Sequence, residues 1–126
     1  MSGVGAGGSF ELRFPVKSEP GRVLLLEKSQ IFYVEAEADD SLIRTARKKR
    51  YRHSERHSER LDQVEARLPS PPFFRIHRSY VVNLNRVFEL RSRGDDEWEL
   101  KMDPPVNKVL PVSRRRLRDL RELLGI

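Results

Sequence analysis

Residues Phe73–Asn83 read F-F-R-I-H-R-S-Y-V-V-N, and this stretch decides how the rest of the chain is understood. An apolar pair runs into Arg75, His77, Arg78 and Ser79, and the chain returns at once to Tyr80, Val81 and Val82. Counted by alternation from Phe74, Ile76 points to a core while Arg75 and His77 point away, the period of a strand. A short polar cluster between two buried flanks presents a few donors on a fixed scaffold. Arg, His and Ser are side chains that can donate to phosphate oxygens or base edges. The stretch therefore predicts a nucleic-acid contact surface built on β-structure.

Outward from this stretch, short apolar runs bounded by turn signals predict further strands. Phe10–Val16 alternates apolar and polar residues, with Phe10, Leu12, Phe14 and Val16 on one side. A turn at Ser18–Gly21 separates it from Val23–Leu26, and Ile31–Ala36 follows. Asp39, Asp40 and Ser41 are expected as a polar loop before a strand over Leu42–Arg47, and Lys48–Arg52 as a basic edge strand. A tandem tetrapeptide, R-H-S-E-R-H-S-E, covers Arg52–Glu59; Ser54 or Ser58 can cap a helix with Leu61, Val64 and Leu68 on one stripe. Pro69, Pro71 and Pro72 stop that helix. Val87–Leu90 and Trp98–Met102 predict a hairpin turning at Ser92–Glu97 around Gly94 and Asp95. After a last strand over Val106–Val112, Ser113 can cap a closing helix with Leu117, Leu120, Leu123 and Leu124 inward and its arginines outward. The pattern is β-rich with two helices and is not a helix-turn-helix.

The 126 residues suit one domain with a modest core. Lys and Arg total 25 against 19 Asp and Glu, a net charge of +6. The excess is concentrated: residues 44–60 carry eight Lys and Arg against two Glu, and residues 113–126 five Arg against two acids. Two such basic segments match an electrostatic footprint on a polyanion. There is no cysteine, which excludes disulfides and thiol chemistry and fits a reducing cytoplasm. No apolar run approaches the ~20 residues of a membrane span, so no membrane partner is expected. Residues 1–9 are Gly/Ser-rich and uncharged and are expected to be a flexible leader, with the domain proper at 10–126.

The chain resembles the LytTR family of DNA-binding domains, the output module of many bacterial response regulators. The resemblance rests on a hydrophobic strand ending in an acidic residue (Gln30–Glu35), Leu68-Pro69 followed by Phe74–Asn83, and the P-V-S-R-R segment within Leu110–Arg115. It covers most of residues 22–123 with the elements in family order. It implies a fold that is mainly β with two helices, a β-rich α+β, in an elongated arrangement of small antiparallel sheets. It also implies double-stranded DNA as partner, bound through loops in the major groove at paired direct repeats, with a homodimer forming on the DNA. Transcription regulation of the response-regulator type follows. The residues contain no phosphoacceptor receiver, so regulation is expected from another domain, a partner or abundance alone.

Three loops match the family's DNA-facing edge. In the first, Ser41 is either a base contact or part of an ordinary polar hairpin loop, beside an acidic pair that departs from a DNA-facing composition. In the second, the resemblance puts Arg78 at bases and Arg75 and Ser79 at phosphates; His77 either touches DNA or braces the loop. Asn83 is expected to be structural, bonding nearby backbone. In the third, Ser113 and the first-turn amides can hold a phosphate at the helix start, Arg114 matches the second base-reading position, and Arg115 and Arg118 are expected phosphate clamps.

Catalysis finds little support. His77-Arg78-Ser79 lacks the Asp of a kinase H-R-D, no glycine-rich phosphate loop or G-x-S-x-G elbow exists, and no carboxylate orients a Ser–His pair. His53 and His57 stand at zinc-compatible spacing but lack a third ligand. No enzyme activity, cofactor or metal is expected. The competing function is a β-rich protein- or RNA-interaction module, but Phe32, Tyr33, Phe73, Phe74, Tyr80, Phe88 and Trp98 mostly fall inside apolar runs and are expected in the core rather than as a stacking platform.

Overall fold

A computed structural model describes residues 13–47, 50–52 and 60–126. Twelve elements follow in order: β1 (Arg13–Glu19), β2 (Arg22–Glu27), β3 (Tyr33–Glu37), β4 (Asp40–Arg44), β5 (Arg50–Arg52), α1 (Leu61–Ala66), β6 (Phe73–His77), β7 (Tyr80–Asn83), β8 (Val87–Gly94), β9 (Glu97–Met102), β10 (Val109–Val112) and α2 (Arg114–Leu124). Among the described residues the fold is mainly β with two α-helices, and every strand pairing is antiparallel. A seven-stranded sheet runs β2-β1-β5-β4-β3-β7-β6 and a three-stranded sheet runs β10-β9-β8. Among the described residues no helix is long and apolar enough to cross a membrane.

The large sheet is covered on both faces, which is why Val81 and Val82 can be apolar in succession. Val81 joins Phe14, Val16, Val34, Ile43 and Phe73 beneath α1, whose Leu61 and Val64 face them. Val82 joins Tyr33 and Ile76 on the opposite face, against Leu100 and Leu110 of the small sheet and Leu120 of α2. Asn83 ties the end of β7 to the segment before β3. Buried, it donates from Nδ2 to the Ile31 carbonyl at 3.0 Å and accepts the Asn85 amide at Oδ1 at 3.0 Å.

Several expectations are corrected. The loop expected at Asp39–Ser41 is a tighter turn at Ala38 and Asp39, with Ala38 in the left-handed region (φ 53°). Ser41 therefore lies in β4, paired with Ala36, and is fully buried. The strand expected over Leu42–Arg47 begins at Asp40 and ends at Arg44. β5 is an interior strand between β4 and β1, not an edge, because its second partner, at Lys17 in β1, is distant in sequence. The last strand starts at Val109 rather than Val106. In the second hairpin the turn falls on Asp95 and Asp96, at φ 50° and 61°. Two successive left-handed residues are what a two-residue hairpin turn requires, and Asp tolerates that region better than most side chains. Leu123 is 46% exposed instead of inward, and Phe88 is 62% exposed instead of in the core. Ser113 occupies the cap position of α2 without making a side-chain capping bond. Residues 53–59, with His53, His57 and the proposed caps Ser54 and Ser58, lie outside the described residues, as do 1–12. The described helix start is secured by Gln63, whose Oε1 accepts the Arg60 amide at 2.9 Å.

Candidate nucleic-acid interface

Strands β6 and β7 meet in a turn at Arg78 and Ser79, and the side chains around it have separated into two roles. Ile76 faces the core between the sheets, so its neighbour Arg75 faces the α1 side, where the guanidinium is enclosed (12% exposed). Its Nη1 donates to Asp62 Oδ1 and Glu65 Oε1, both at 2.9 Å; its Nε donates to the His77 carbonyl at 2.9 Å, and its Nη2 to the Arg78 carbonyl. Four of the five N–H donors of an Arg fork are thus used internally. The phosphate contact expected of Arg75 is corrected on that ground, since a phosphate would have to displace two carboxylates. The Asp62 carboxyl is held below the usual carboxylate range by its hydrogen bond from Arg75 and that residue's charge.

His77 is half-buried and its Nδ1 accepts the Ser79 amide at 3.1 Å. Desolvation, then the charges of Arg78 and Arg75, push the imidazole pKa down. Of its two expected roles, the bracing one has a bond in the structure. The Ser79 carbonyl accepts the Ala36 amide at 2.9 Å, so β3 supports the turn from the side. Arg78 is left at the tip, exposed, and among the described residues no partner takes its guanidinium. Ser79 is half-buried beside it. Ser41 sits in the strand beyond Ala36 with no exposed surface, so the base contact expected of it has no route to DNA in this conformation.

The start of α2 is brought to the same edge by one backbone bond, Ser113 N–H to the Ile76 carbonyl at 2.8 Å. Arg114 is exposed and rests one Nη2 on the Asp95 carbonyl at 3.3 Å, so the β8–β9 turn supports it. His77, Arg93, Trp98, Glu99, Ser113 and Arg114 line one cleft of about 370 Å³. Arg115 points to solvent, and Arg118 is 88% exposed, with Glu122 3.8 Å from its Nε. On the inner side Arg121 stacks 5.4 Å over the Trp98 ring.

Arg93 was not anticipated from sequence. It lies opposite the register shift between Glu97 and Trp98, and Glu99 Oε2 holds it at 3.4 Å while Glu99 Oε1 takes Arg91 at 2.7 Å. The Glu99 carboxyl is lowered, by the Arg91 hydrogen bond first. An Arg two residues before a hairpin turn was the available signal, but nothing local says that the turn folds back to Arg114.

The LytTr DNA-binding domain family model matches residues 21–125. The heme-containing CO-sensing transcriptional regulator RcoM 1 of Paraburkholderia xenovorans is 35% identical over 99% of the chain and 46% of that protein. The sensory transduction protein LytT of Bacillus subtilis is 29% identical over 82% of the chain and 40% of that protein. The chain spans less than half the length of each of these relatives. Among solved structures, a LytTr DNA-binding domain from Bacillus cereus superposes with a TM-score of 0.75 at 24% identity, covering 90% of this chain and 97% of that one.

Proposed function

The chain belongs to the LytTR family of DNA-binding domains, and from that membership we propose that it reads duplex DNA sequence through the β6–β7 turn and the start of α2, inserted together in the major groove. Its relatives include transcriptional regulators, which supports a role in bacterial transcription regulation. The observation that carries the finer reading is the Ser113–Ile76 backbone bond, which sets two arginine-bearing segments on one edge. Arg78 and Arg114 are the base readers, since a guanidinium pairs with guanine O6 and N7 in bidentate fashion. Ser79, Ser113, Arg115 and Arg118 hold phosphates, and the first-turn amides of α2 favour an anion there. His77 acts from within the turn. Association of two copies on paired repeats belongs to the same proposal.

The test is substitution with paired readouts. Arg78→Ala or Arg114→Ala is expected to cost about 1–3 kcal/mol on the selected site and to relax preference at one base position. Equal weakening on selected and scrambled duplexes would remove the base-reading role. The competing single-strand reading has one observation behind it, exposed Phe88 with Lys101 Nζ 5.7 Å from its ring centre. Phe88 is the single aromatic among the described residues that is exposed, and stacking platforms need several. Duplex is therefore expected to outcompete single strands.

A further inference from the structure

We propose that Arg75 is a positioning residue for sequence reading: without touching DNA, it ties the turn that carries Arg78 to helix α1, and so sets discrimination between sequences. The inference rests on the reading of Arg78 given above.

Four polar backbone groups of this turn have internal partners. Arg75 takes the carbonyls of His77 and Arg78, the His77 ring takes the Ser79 amide, and the Ala36 amide takes the Ser79 carbonyl. The turn is thereby fixed before any DNA arrives. Reading a base edge with a bidentate pair demands that fixity, because a contact group ordered only on binding loses affinity to the entropy of ordering and tolerates wrong partners. The far end of the tie is equally fixed. Asp62 and Glu65 stand at i and i+3 on α1, and so share one face, while Leu61 and Val64 lock the other face into the core. One guanidinium spans two carboxylates and two carbonyls because its donors diverge in a plane. A lysine ammonium at the same site keeps the charge but cannot span them.

The experiment compares a selected duplex with a scrambled one for the wild-type chain, Arg75→Lys, and the double variant Asp62→Asn/Glu65→Gln, each checked for an unchanged thermal melt. In Arg75→Lys the selected-to-scrambled ratio is expected to fall about tenfold with the salt slope unchanged, because the number of phosphate contacts is the same. The double variant is expected to lower the ratio too, even as its added positive charge strengthens binding to scrambled DNA. In an Arg78→Ala background, Arg75→Lys is expected to have no further effect on the ratio, which a general loss of stability would not mimic. A phosphate-holding Arg75 predicts the reverse. Lysine would then keep the ratio, and freeing the guanidinium from Asp62 and Glu65 would tighten both duplexes alike. If Arg75→Lys fails to fold, the double variant decides alone. A wild-type chain that selects no duplex would remove the reading of Arg78 and this inference together. A selecting wild type with an unchanged ratio in both variants would remove this inference only.

Discussion

Ser79 donates its amide to His77 Nδ1, so that nitrogen carries no proton and the ring is held as its Nε2–H form. Desolvation and two neighbouring arginines disfavour the charged ring, so the unfolded chain binds this proton more readily than the folded one. The stabilisation is complete at neutral pH and is lost as pH falls through the lowered folded value. An imidazole NMR titration is expected to show a neutral ring with a midpoint below about 6.5; a midpoint above it would mean that the bond to Ser79 does not hold the ring. Asn83→Ala should cost about 1–3 kcal/mol, since it leaves the Ile31 carbonyl and the Asn85 amide without their partner, and a denaturant midpoint measures it. At this scale the sequence was informative about residue type and misleading about partners. Arg75 lies in a motif that invites a phosphate, yet its two carboxylates come from 10 and 13 residues upstream, on a helix whose polar face gives no local sign of its target. Ser41 was missed for a simpler reason: the hairpin turn needed two residues, not three, and moved it into the strand.

Among the elements, α2 carries one of the two segments proposed to meet DNA and is docked through Leu120, which is fully buried against the small sheet and β6. Leu120→Ala is expected to lose about 2–5 kcal/mol of stability. Leu123→Ala should be nearly silent, since that side chain is exposed. Thermal or denaturant melts distinguish the two, and equal losses would contradict this docking. On the outer face, removing Arg115 or Arg118 is expected to weaken binding to every duplex and to reduce the salt slope by about one each. An unchanged slope would take them out of the footprint. Gly125 ends the helix at φ 76° with its amide bonded to the Glu122 carbonyl, a left-handed stop that glycine adopts without strain. Alternation made β1 legible because Phe14 and Val16 share one buried side, and β6 because Phe74 and Ile76 share one side. β5 was expected as a strand, but at an edge, since its place between β4 and β1 depends on pairing Arg52 with Lys17 across 35 residues of chain, and no local pattern encodes that.

For the whole molecule, the large sheet packs α1 on one face and the small sheet with α2 on the other, and the edge proposed to face DNA lies where these layers meet at β6. That convergence explains why three separated sequence segments were needed to see a site at all. Two of them do meet, the β6–β7 turn and the α2 start, joined by the β8–β9 hairpin, which was legible as a hairpin but not as part of this cleft. The measurement that bears most directly on the protein's role is anisotropy binding to a random duplex library across a salt series, with the retained fraction sequenced. Enrichment of a short repeated motif, with affinity falling steeply as salt rises, is the result expected of a sequence reader whose slope counts its phosphate contacts. Salt-dependent binding that enriches no motif would contradict it and leave only a basic surface.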